Sequence, residues 1–414
     1  MSVAPPRASG AGRVLAFATA AFLVLTPFSM SAGWRGALLG MAGIALATRL
    51  RSGLAALAAH TPRAVAAFGI PWLAICAASV AWSVDREYSL GELKPELLYP
   101  LLAFVVFLVA ASQNRSSWPR WWLAIVAGTV LAFIGTLLQD AGGLTIAHRE
   151  IDAGPGTFST HLVLVLQLLF ALDWDAPWGR GHRPRALLLA LCVLLAAAWY
   201  SGNRIIWVAF GAQLMVGVAT WRRLPTARRE RLAMLRRLAA VAFLAFAVAF
   251  AASLAERYER NLLHDTGVPA GLEHDLRPRL WHVAWERFQD APWLGHGFGR
   301  EVLAASFLPV TPPHVGHPKL RHAHNAFIDM ALEVGAIGLA AFLGLLGALA
   351  WRYRAMLADP ALAPLGVMGL ALLAGFVVKN LTDDFLHRQN GVLFWALNGM
   401  LLGLAAGARA PRRD

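Results

Sequence analysis

Twelve stretches of the sequence are apolar over roughly the length that a helix needs to cross a membrane, which is about 20 residues. They are 13–31, 34–49, 65–82, 97–111, 121–139, 158–173, 185–200, 205–221, 238–255, 326–350, 361–378 and 390–407. Open sheet edges cannot lie in hydrocarbon, so these stretches are expected to be helices. They use most of the hydrophobic residues, which make up 58% of the chain. We therefore expect an all-α polytopic membrane protein with about 12 transmembrane helices.

Composition argues against several soluble classes of protein. Charged residues make up only 15% of the chain, whereas soluble domains contain about 25%. The two cysteines, Cys76 and Cys192, lie inside apolar stretches, so no disulfide framework is indicated. The net charge of +13 is not gathered in a soluble basic domain with interleaved aromatic residues, so nucleic acid is not an expected partner.

The arginines of the short connections predict the orientation in the membrane. The connection 220–237 carries seven arginines against one glutamate, which marks it as cytoplasmic. Alternating outward from it places the other arginine-rich short connections on the same side, together with both termini. The sequence therefore predicts twelve spans, with the N-terminus and the C-terminus in the cytoplasm.

One long connection breaks this charge pattern and divides the chain into three parts. Residues 1–255 hold the first nine predicted spans, residues 256–325 form an extracytoplasmic loop, and residues 326–414 hold the last three spans and a short cytoplasmic tail. The loop contains eight of the thirteen histidines and several arginines. Long loops cross the membrane regardless of charge, so this cationic surplus needs another explanation.

The loop contains one segment with helical periodicity. The apolar residues of this segment recur at helical spacing and are Leu276, Leu280, Trp281, Ala284, Trp285 and Phe288. We expect an amphipathic helix at the outer membrane interface, with its tryptophans toward the lipid. A glycine-rich turn over 295–299 follows it, and a Pro- and His-rich stretch leads to the start of the tenth span.

Three interpretations of the cationic cluster remain open at this point. It could be a solvated basic face beside anionic lipid. It could be a metal site built on His314, His317, His322 and His324, although crowded arginines would repel a cation. It could also bind an anionic, phosphate-bearing substrate, because the arginine fork suits phosphate oxygens and histidine accepts protons near neutral pH. No ATP-binding loop motif is present, so such a substrate would arrive already activated, as a lipid-linked pyrophosphate does.

Four motifs resemble those of the O-antigen ligase/polymerase superfamily. The first is His324-Asn325, nine residues, then Gly335-Ala-Ile-Gly338. The second is Arg277-Pro-Arg-Leu-Trp281, continued by Pro292-Trp-Leu-Gly-His-Gly-Phe-Gly299. The third is Ser201-Gly-Asn-Arg204, and the fourth is Ala81-Trp-Ser-Val-Asp85 ahead of a Lys-Pro-Glu-Leu-Leu run.

The resemblance implies a membrane glycosyltransferase with a GT-C-like fold in the bacterial inner membrane. It implies transfer of a glycan from undecaprenyl pyrophosphate to lipid A-core oligosaccharide at the periplasmic face, without metal, ATP or another cofactor. Membrane lipids would surround a monomer. The alternatives are an O-antigen polymerase and a protein O-oligosaccharyltransferase. A transporter of an anionic lipid is a further alternative, but the halves show no inverted repeat.

The resemblance also implies roles for individual residues. His324 matches the motif histidine and would be the general base on the acceptor hydroxyl. The pyrophosphate would be held by Arg204, Arg277 and Arg300, where developing negative charge is stabilised. Further substrate contacts are expected from Arg279, Arg321, His322 and Asn325. We expect no metal ligand among these residues.

Overall fold

The computed structural model describes residues 10–48, 57, 60–114, 117–142, 151, 154–168, 183–220, 223, 276–310, 320–382, 384 and 387–409. Regular structure in these ranges is helical. The helices before the long loop are α1 (Gly10–Leu25), α2 (Ala32–Ala47), α3 (Arg63–Ala78), α4 (Arg86–Leu93), α5 (Tyr99–Gln113), α6 (Trp118–Asp140), α7 (Pro155–Leu166), α8 (Arg183–Tyr200) and α9 (Ile205–Thr220). The later ones are α10 (Arg277–Asp290), α11 (Ala326–Met356), α12 (Ala363–Asn380) and α13 (Arg388–Arg409).

The helices agree with the apolar stretches of the sequence. Eleven of the twelve predicted spans coincide with a helix, and the ninth, 238–255, lies outside the described residues. Six helical segments within the described ranges are long and apolar enough to cross a membrane. They are Arg63–Ala81, Arg86–Gln113, Trp118–Asp140, Ala326–Met356, Ala363–Asn380 and Arg388–Ala408. The chain is therefore an all-helical, multi-pass membrane protein, and the count of twelve crossings and the GT-C-like fold stay predictions.

Close helix packing builds the centre of the bundle. Helix α13 presents Gly399, Gly403 and Gly407 to the backbone of α5, at the spacing that puts residues on one helix face. A side chain at any of the three would collide with α5 carbonyl groups. Small residues at a membrane helix interface allow backbones to approach, and dispersion contacts then hold the pair together.

Hydrogen bonds between connections show which helix ends lie together. They join Tyr200 to Asp140, Gln139 to Ile151, Ile151 to Ser29, and Arg35 to Gln389. Because Gln389 lies in the first turn of α13 and Tyr200 ends α8, the start of α9 lies at the same end of the bundle as the start of α13. We call this the site end, because it also carries residues 320–325.

Helix α10 confirms the helix predicted in the long loop. Its Leu280 and Ala284 are buried against Phe307, Ala323 and Leu332 in a small separate core. The indole Nε1 of Trp281 donates to the carbonyl oxygen of Ala323 at 3.0 Å. Trp285 is 57% exposed. The helix is thus clamped over the loop that precedes α11, and its position at a membrane interface stays a prediction.

Candidate functional site

Two of the sequence motifs fit together as one backbone unit. Helix α11 is interrupted at Gly335, whose φ of 68° is left-handed. The amides of His296 and Gly297 donate to the carbonyls of Leu332 and Glu333 at 2.8 and 3.0 Å. In return, the amide of Ala336 donates to the carbonyl of Pro292 at 2.8 Å. The glycine turn therefore satisfies backbone groups that the interruption of α11 leaves unpaired.

The Ala81–Asp85 motif holds the other side of this glycine turn. Val84 donates its amide to the carbonyl of His296 at 2.9 Å, and the Trp82 indole donates to the carbonyl of Leu294 at 3.1 Å. Asp85 caps α4 by accepting the Tyr88 amide at 3.0 Å. Three of the four motifs thus meet at the site end.

The loop before α11 places His324 on a strained turn. Its φ is 54°, a left-handed value that is uncommon for a residue with a side chain. Asn325 caps α11 by accepting the amides of Phe327 and Ile328 at 3.0 and 3.2 Å. Its Nδ2 donates to the carbonyl of Leu381 at 2.8 Å, which ties the loop to the α12–α13 connection. Asn325 is buried, and its side-chain amide makes three structural hydrogen bonds, whereas His324 is partly exposed.

His322 is buried beneath His324 and faces a carboxylate. The two imidazole rings lie 4.1 Å apart between centroids, at an interplanar angle of 34°. The Nδ1 of His322 lies 3.2 Å from Oδ2 of Asp329, which is also buried. The other oxygen of Asp329 accepts the Ala323 amide at 2.8 Å.

Burial shifts the titration of two groups at this end in opposite directions. Desolvation, with a contribution from the Arg300 charge, lowers the pKa of His322 to about 4. Desolvation and the neighbouring Asp329 raise the pKa of Asp384 to about 6, against the opposing charge of Arg300. The imidazole of His322 is therefore neutral at pH 7.

Arg300 and Arg321 are joined through one glutamate. Arg321 donates to Glu301 at 3.2 Å, and Nη2 of Arg300 lies 3.9 Å from the same carboxylate. The Nη1 of Arg300 donates to the carbonyl of Asp384 at 2.7 Å. Its Nε is buried with no hydrogen-bond partner in the described part of the chain. Arg321 is exposed, while the Arg300 side chain is only 18% exposed.

The remaining predicted arginines lie around this cluster. Arg277 opens α10 four residues before Trp281, so both lie on the helix face that meets the loop before His324. Arg279 is exposed on the same first turn. Arg204 immediately precedes α9 and therefore lies at the site end, four residues after Tyr200.

A small cavity lies beside Asp384 and Arg300. Its volume is about 50 Å³, which is enough for a few water molecules. Its polar wall is formed by Glu96, Glu333, Arg300, Asp384 and His387, and its apolar wall includes Trp72, Phe298, Met330 and Trp395. The Glu333 carboxylate accepts the Gly299 amide at 2.9 Å, so the backbone unit described above also shapes this cavity.

A second polar cluster fixes the α12–α13 connection. The Glu96 carboxylate accepts the Arg388 amide at 3.0 and 3.1 Å and pairs with His387 at 2.9 Å. Arg388, which has a φ of 50°, reaches Glu92 at 2.9 Å. Glu96 lies on a single π-helical turn, Lys94–Leu98, between α4 and α5. Such turns often mark functional sites, and this one turns Glu96 toward the connection.

Among the residues that the structure describes, two groups of side chains have the ligand types for a metal ion. They are His322 with Asp329 and Asp384, and His387 with Glu92 and Glu96. Both are crowded by protein donors. Asp329 already serves the Ala323 amide and His322, and Glu96 serves the Arg388 amide. Arg300 and Arg388 place fixed positive charge beside them. The donor chemistry therefore fits a cation poorly. His314 and His317 lie outside the described residues.

The structure adds carboxylates that the sequence reading did not select. Asp329 and Glu333 are buried in α11, one helical turn apart, and Glu96 is buried beside the connection to α13. A signal was available for the first two, because charged residues inside a membrane span are costly and mark functional sites. Nothing in the sequence indicates that Glu96 would meet His387, almost three hundred positions later.

Comparison with known proteins points in one direction. A family model described as O-antigen ligase matches residues 186–343. An O-antigen ligase of Pseudomonas aeruginosa is 26% identical over 337 residues, which cover 80% of this chain and 67% of that protein. The matched region contains Arg204, the glycine turn, His324 and Gly335 in the order of the motifs. Over these residues the chain is therefore similar to the O-antigen ligase family.

Proposed function

We propose that this protein is an O-antigen ligase of lipopolysaccharide biosynthesis in the bacterial inner membrane. It takes a glycan from undecaprenyl pyrophosphate and joins it to a sugar of lipid A-core, as a monomer and without metal or ATP. The site end faces the periplasm, because the arginine-rich connections place the opposite end in the cytoplasm.

The observation that carries this proposal is the arrangement around His324. The ring is partly exposed, lies on a left-handed turn, and contacts the neutral, buried imidazole of His322 at a tilt of 34°. Strained backbone of this kind is retained where the surroundings enforce it, and it concentrates at active sites. Arg300 is connected to the same loop through Asp384 and Glu301. The imidazole of His324 and the guanidinium of Arg300 thus lie at the same end of the helix bundle.

The reaction then runs as a single displacement. The acceptor hydroxyl oxygen attacks the anomeric carbon of the lipid-linked glycan and forms the new glycosidic bond. The bond from that carbon to the pyrophosphate oxygen breaks, and undecaprenyl pyrophosphate leaves with the electron pair. His324 receives the hydroxyl proton as the new bond forms, because such hydroxyls are too weakly acidic to ionise beforehand.

The arginines stabilise the departing pyrophosphate. Arg277 lies on the face of α10 next to the loop of His324, Arg204 precedes α9, and Arg300 has an unpaired Nε. Arg279 and Arg321 lie on the exposed rim, where they guide the anionic headgroup. Guanidinium groups fixed before the reaction contribute most where charge develops and water is partly excluded.

The carboxylates divide the site into two regions. Glu96, Glu333 and Asp384 line the cavity beside Arg300, so a pyrophosphate there would meet like charges. Carboxylates are strong acceptors for sugar hydroxyls, and a cavity with room for only a few waters admits a hydroxyl group rather than a whole sugar ring. We therefore assign a hydroxyl of the sugar substrate to the carboxylates of the cavity, and the pyrophosphate to Arg300 on the cavity wall together with the arginines outside it, with His322 and Asn325 shaping the border.

The closest competitor is an O-antigen polymerase, which would use the same donor and a second lipid-linked glycan as acceptor. A protein O-oligosaccharyltransferase would instead use a hydroxyl-bearing peptide. An anionic-lipid transporter is a third candidate, but the titratable groups described here gather at one end rather than at mid-membrane.

The acceptor distinguishes these candidates. Purified protein is incubated with an undecaprenyl-pyrophosphate-linked glycan and, in separate reactions, with lipid A-core, with a second lipid-linked glycan or with a hydroxyl-rich peptide. The proposal predicts glycosylated lipid A-core and free undecaprenyl pyrophosphate in the first reaction alone. Chain extension of the lipid-linked glycan would identify a polymerase, and absence of any transfer would reject all three enzyme assignments.

A further inference from the structure

We propose that Asp329 and His322 act as a positioning pair that holds the loop of His324 and fixes the direction of its imidazole. This inference rests on the proposed role of His324 as the base. Neither Asp329 nor His322 is assigned contact with the reacting atoms.

Asp329 grips the loop at two points. Its Oδ1 accepts the Ala323 amide at 2.8 Å, and its Oδ2 lies 3.2 Å from Nδ1 of His322. Its own amide donates to the Asn325 carbonyl at 2.9 Å, so backbone and side chain hold the same four-residue turn. With 2% of Asp329 exposed, water does not compete for these contacts. Its removal would leave the Ala323 amide buried and unpaired.

The second contact constrains the His322 ring. Nδ1 of a neutral imidazole carries either a proton or a lone pair. It therefore either donates to Asp329 or accepts the His324 amide, which lies 3.2 Å away. When Nδ1 carries the proton it donates to Asp329, and the ring then links the α11 carboxylate to the turn.

The ring of His322 in turn supports that of His324. The 4.1 Å centroid separation leaves no room for water between the rings, which are tilted by 34° to each other. The left-handed backbone of His324 costs free energy that the turn alone does not return. The contacts of the Asp329–His322 pair offset this cost. We therefore expect the imidazole of His324 to adopt a wider range of orientations when either residue is changed.

The test uses the full-length protein and the transfer assay above. Asp329→Asn keeps an oxygen for the Ala323 amide but presents an NH₂ group to His322, which reverses the ring's hydrogen bonding. We expect kcat to fall by about 100-fold, the scale of a small misplacement of a reacting group. The KM for the lipid-linked donor should change little. His322→Asn should show the same loss, and the double variant should be no worse than either one, because the two side chains act as a unit.

Tyr353→Phe is the matched control, since it removes a buried 2.8 Å hydrogen bond to Asn398 in the centre of the bundle. It should lower the melting temperature and leave kcat unchanged. If Asp329→Asn does not fold, His322→Asn alone decides the question through its kcat. Wild-type kcat in either variant, or losses that multiply in the double variant, would overturn the positioning pair. Transfer by His324→Ala protein would instead reject the proposed base.

Discussion

Gly295 and Gly335 pack backbone against backbone, and this contact joins the glycine turn of the long loop to the interruption of α11. A Cβ on Gly295 would lie 2.5 Å from the carbonyl carbon of Glu333 and 2.6 Å from the amide nitrogen of Gly335. Both glycines have left-handed φ values, 67° and 68°. The pair therefore sets the distance between the glycine turn and the segment of α11 that carries Glu333, which lines the cavity.

Gly335→Ala should destabilise the protein and abolish transfer. The left-handed backbone costs about 1–3 kcal/mol for a residue with a side chain, and the new Cβ would collide with the backbone of Trp293. Gly347→Ala is the control in the same helix, because a Cβ there meets no atom within 4 Å. Thermal unfolding of the two purified variants makes the comparison. Equal melting temperatures would show that the two motifs are not interlocked.

Acid should destabilise the protein through His322. The pKa of His322 is lowered by burial to about 4 in the folded state, and an unfolded histidine titrates near pH ~6.5. Between these values the unfolded chain binds the extra proton, so stability is complete above pH ~6.5 and falls as the pH drops toward 4. The raised pKa of Asp384 acts in the opposite direction below pH ~6, so the His322 contribution is measured as the difference between His322→Gln and wild type in a plot of melting temperature against pH. An unchanged slope would contradict the buried, neutral imidazole.

Arg300→Ala should impair donor use more than acceptor use. A hydrogen bond to a charged group contributes about 1.5–3 kcal/mol, which predicts a loss of roughly 10- to 100-fold in kcat/KM for the lipid-linked donor. Arg287→Ala is the control, because that arginine forms an exposed 3.0 Å pair with Asp290 on the outside of α10. Steady-state kinetics with each substrate varied in turn separates the effects. An increase confined to the KM for the acceptor would show that Arg300 binds the sugar acceptor rather than the pyrophosphate.

Transfer should survive a strong chelator. The carboxylates nearest to a metal-binding arrangement already accept protein donors, and arginines stand beside them. Transfer is measured after dialysis against EDTA, and again after added Mg²⁺ or Zn²⁺. Activity that disappears with EDTA and returns with one of these ions would make the His322, Asp329 and Asp384 group a metal site.

Periodic features of the sequence were predictable, and long-range contacts were not. The length of the apolar stretches predicted eleven spans that coincide with helices. The helical spacing of apolar residues from Leu276 to Phe288 predicted α10. The motif histidine could be selected because its spacing to the following glycines resembles that of a family. The carboxylates were missed because their meaning depends on partners far along the chain. Glu96 meets His387, and Glu333 meets Gly299, only after the bundle has closed.

The same limit applies to the arginines. Their positions in the sequence predicted that they lie on one side of the membrane. The sequence did not show that Glu301 pairs with both Arg300 and Arg321, or that the carbonyl of Asp384 accepts a hydrogen bond from Arg300. The structure therefore shows a site of mixed charge, in which some of the arginines pair with buried carboxylates. Local charge counts cannot distinguish these roles, because the pairing is set by tertiary contacts.

Single-turnover transfer by purified His324→Ala protein shows whether His324 receives the acceptor proton. Wild type and variant are loaded with the same lipid-linked glycan and mixed with lipid A-core, and product is followed over time. We expect a rate at least about 100-fold below wild type, because a general base usually contributes this much, with donor binding and melting temperature retained. A wild-type rate for the His324→Ala protein would contradict it.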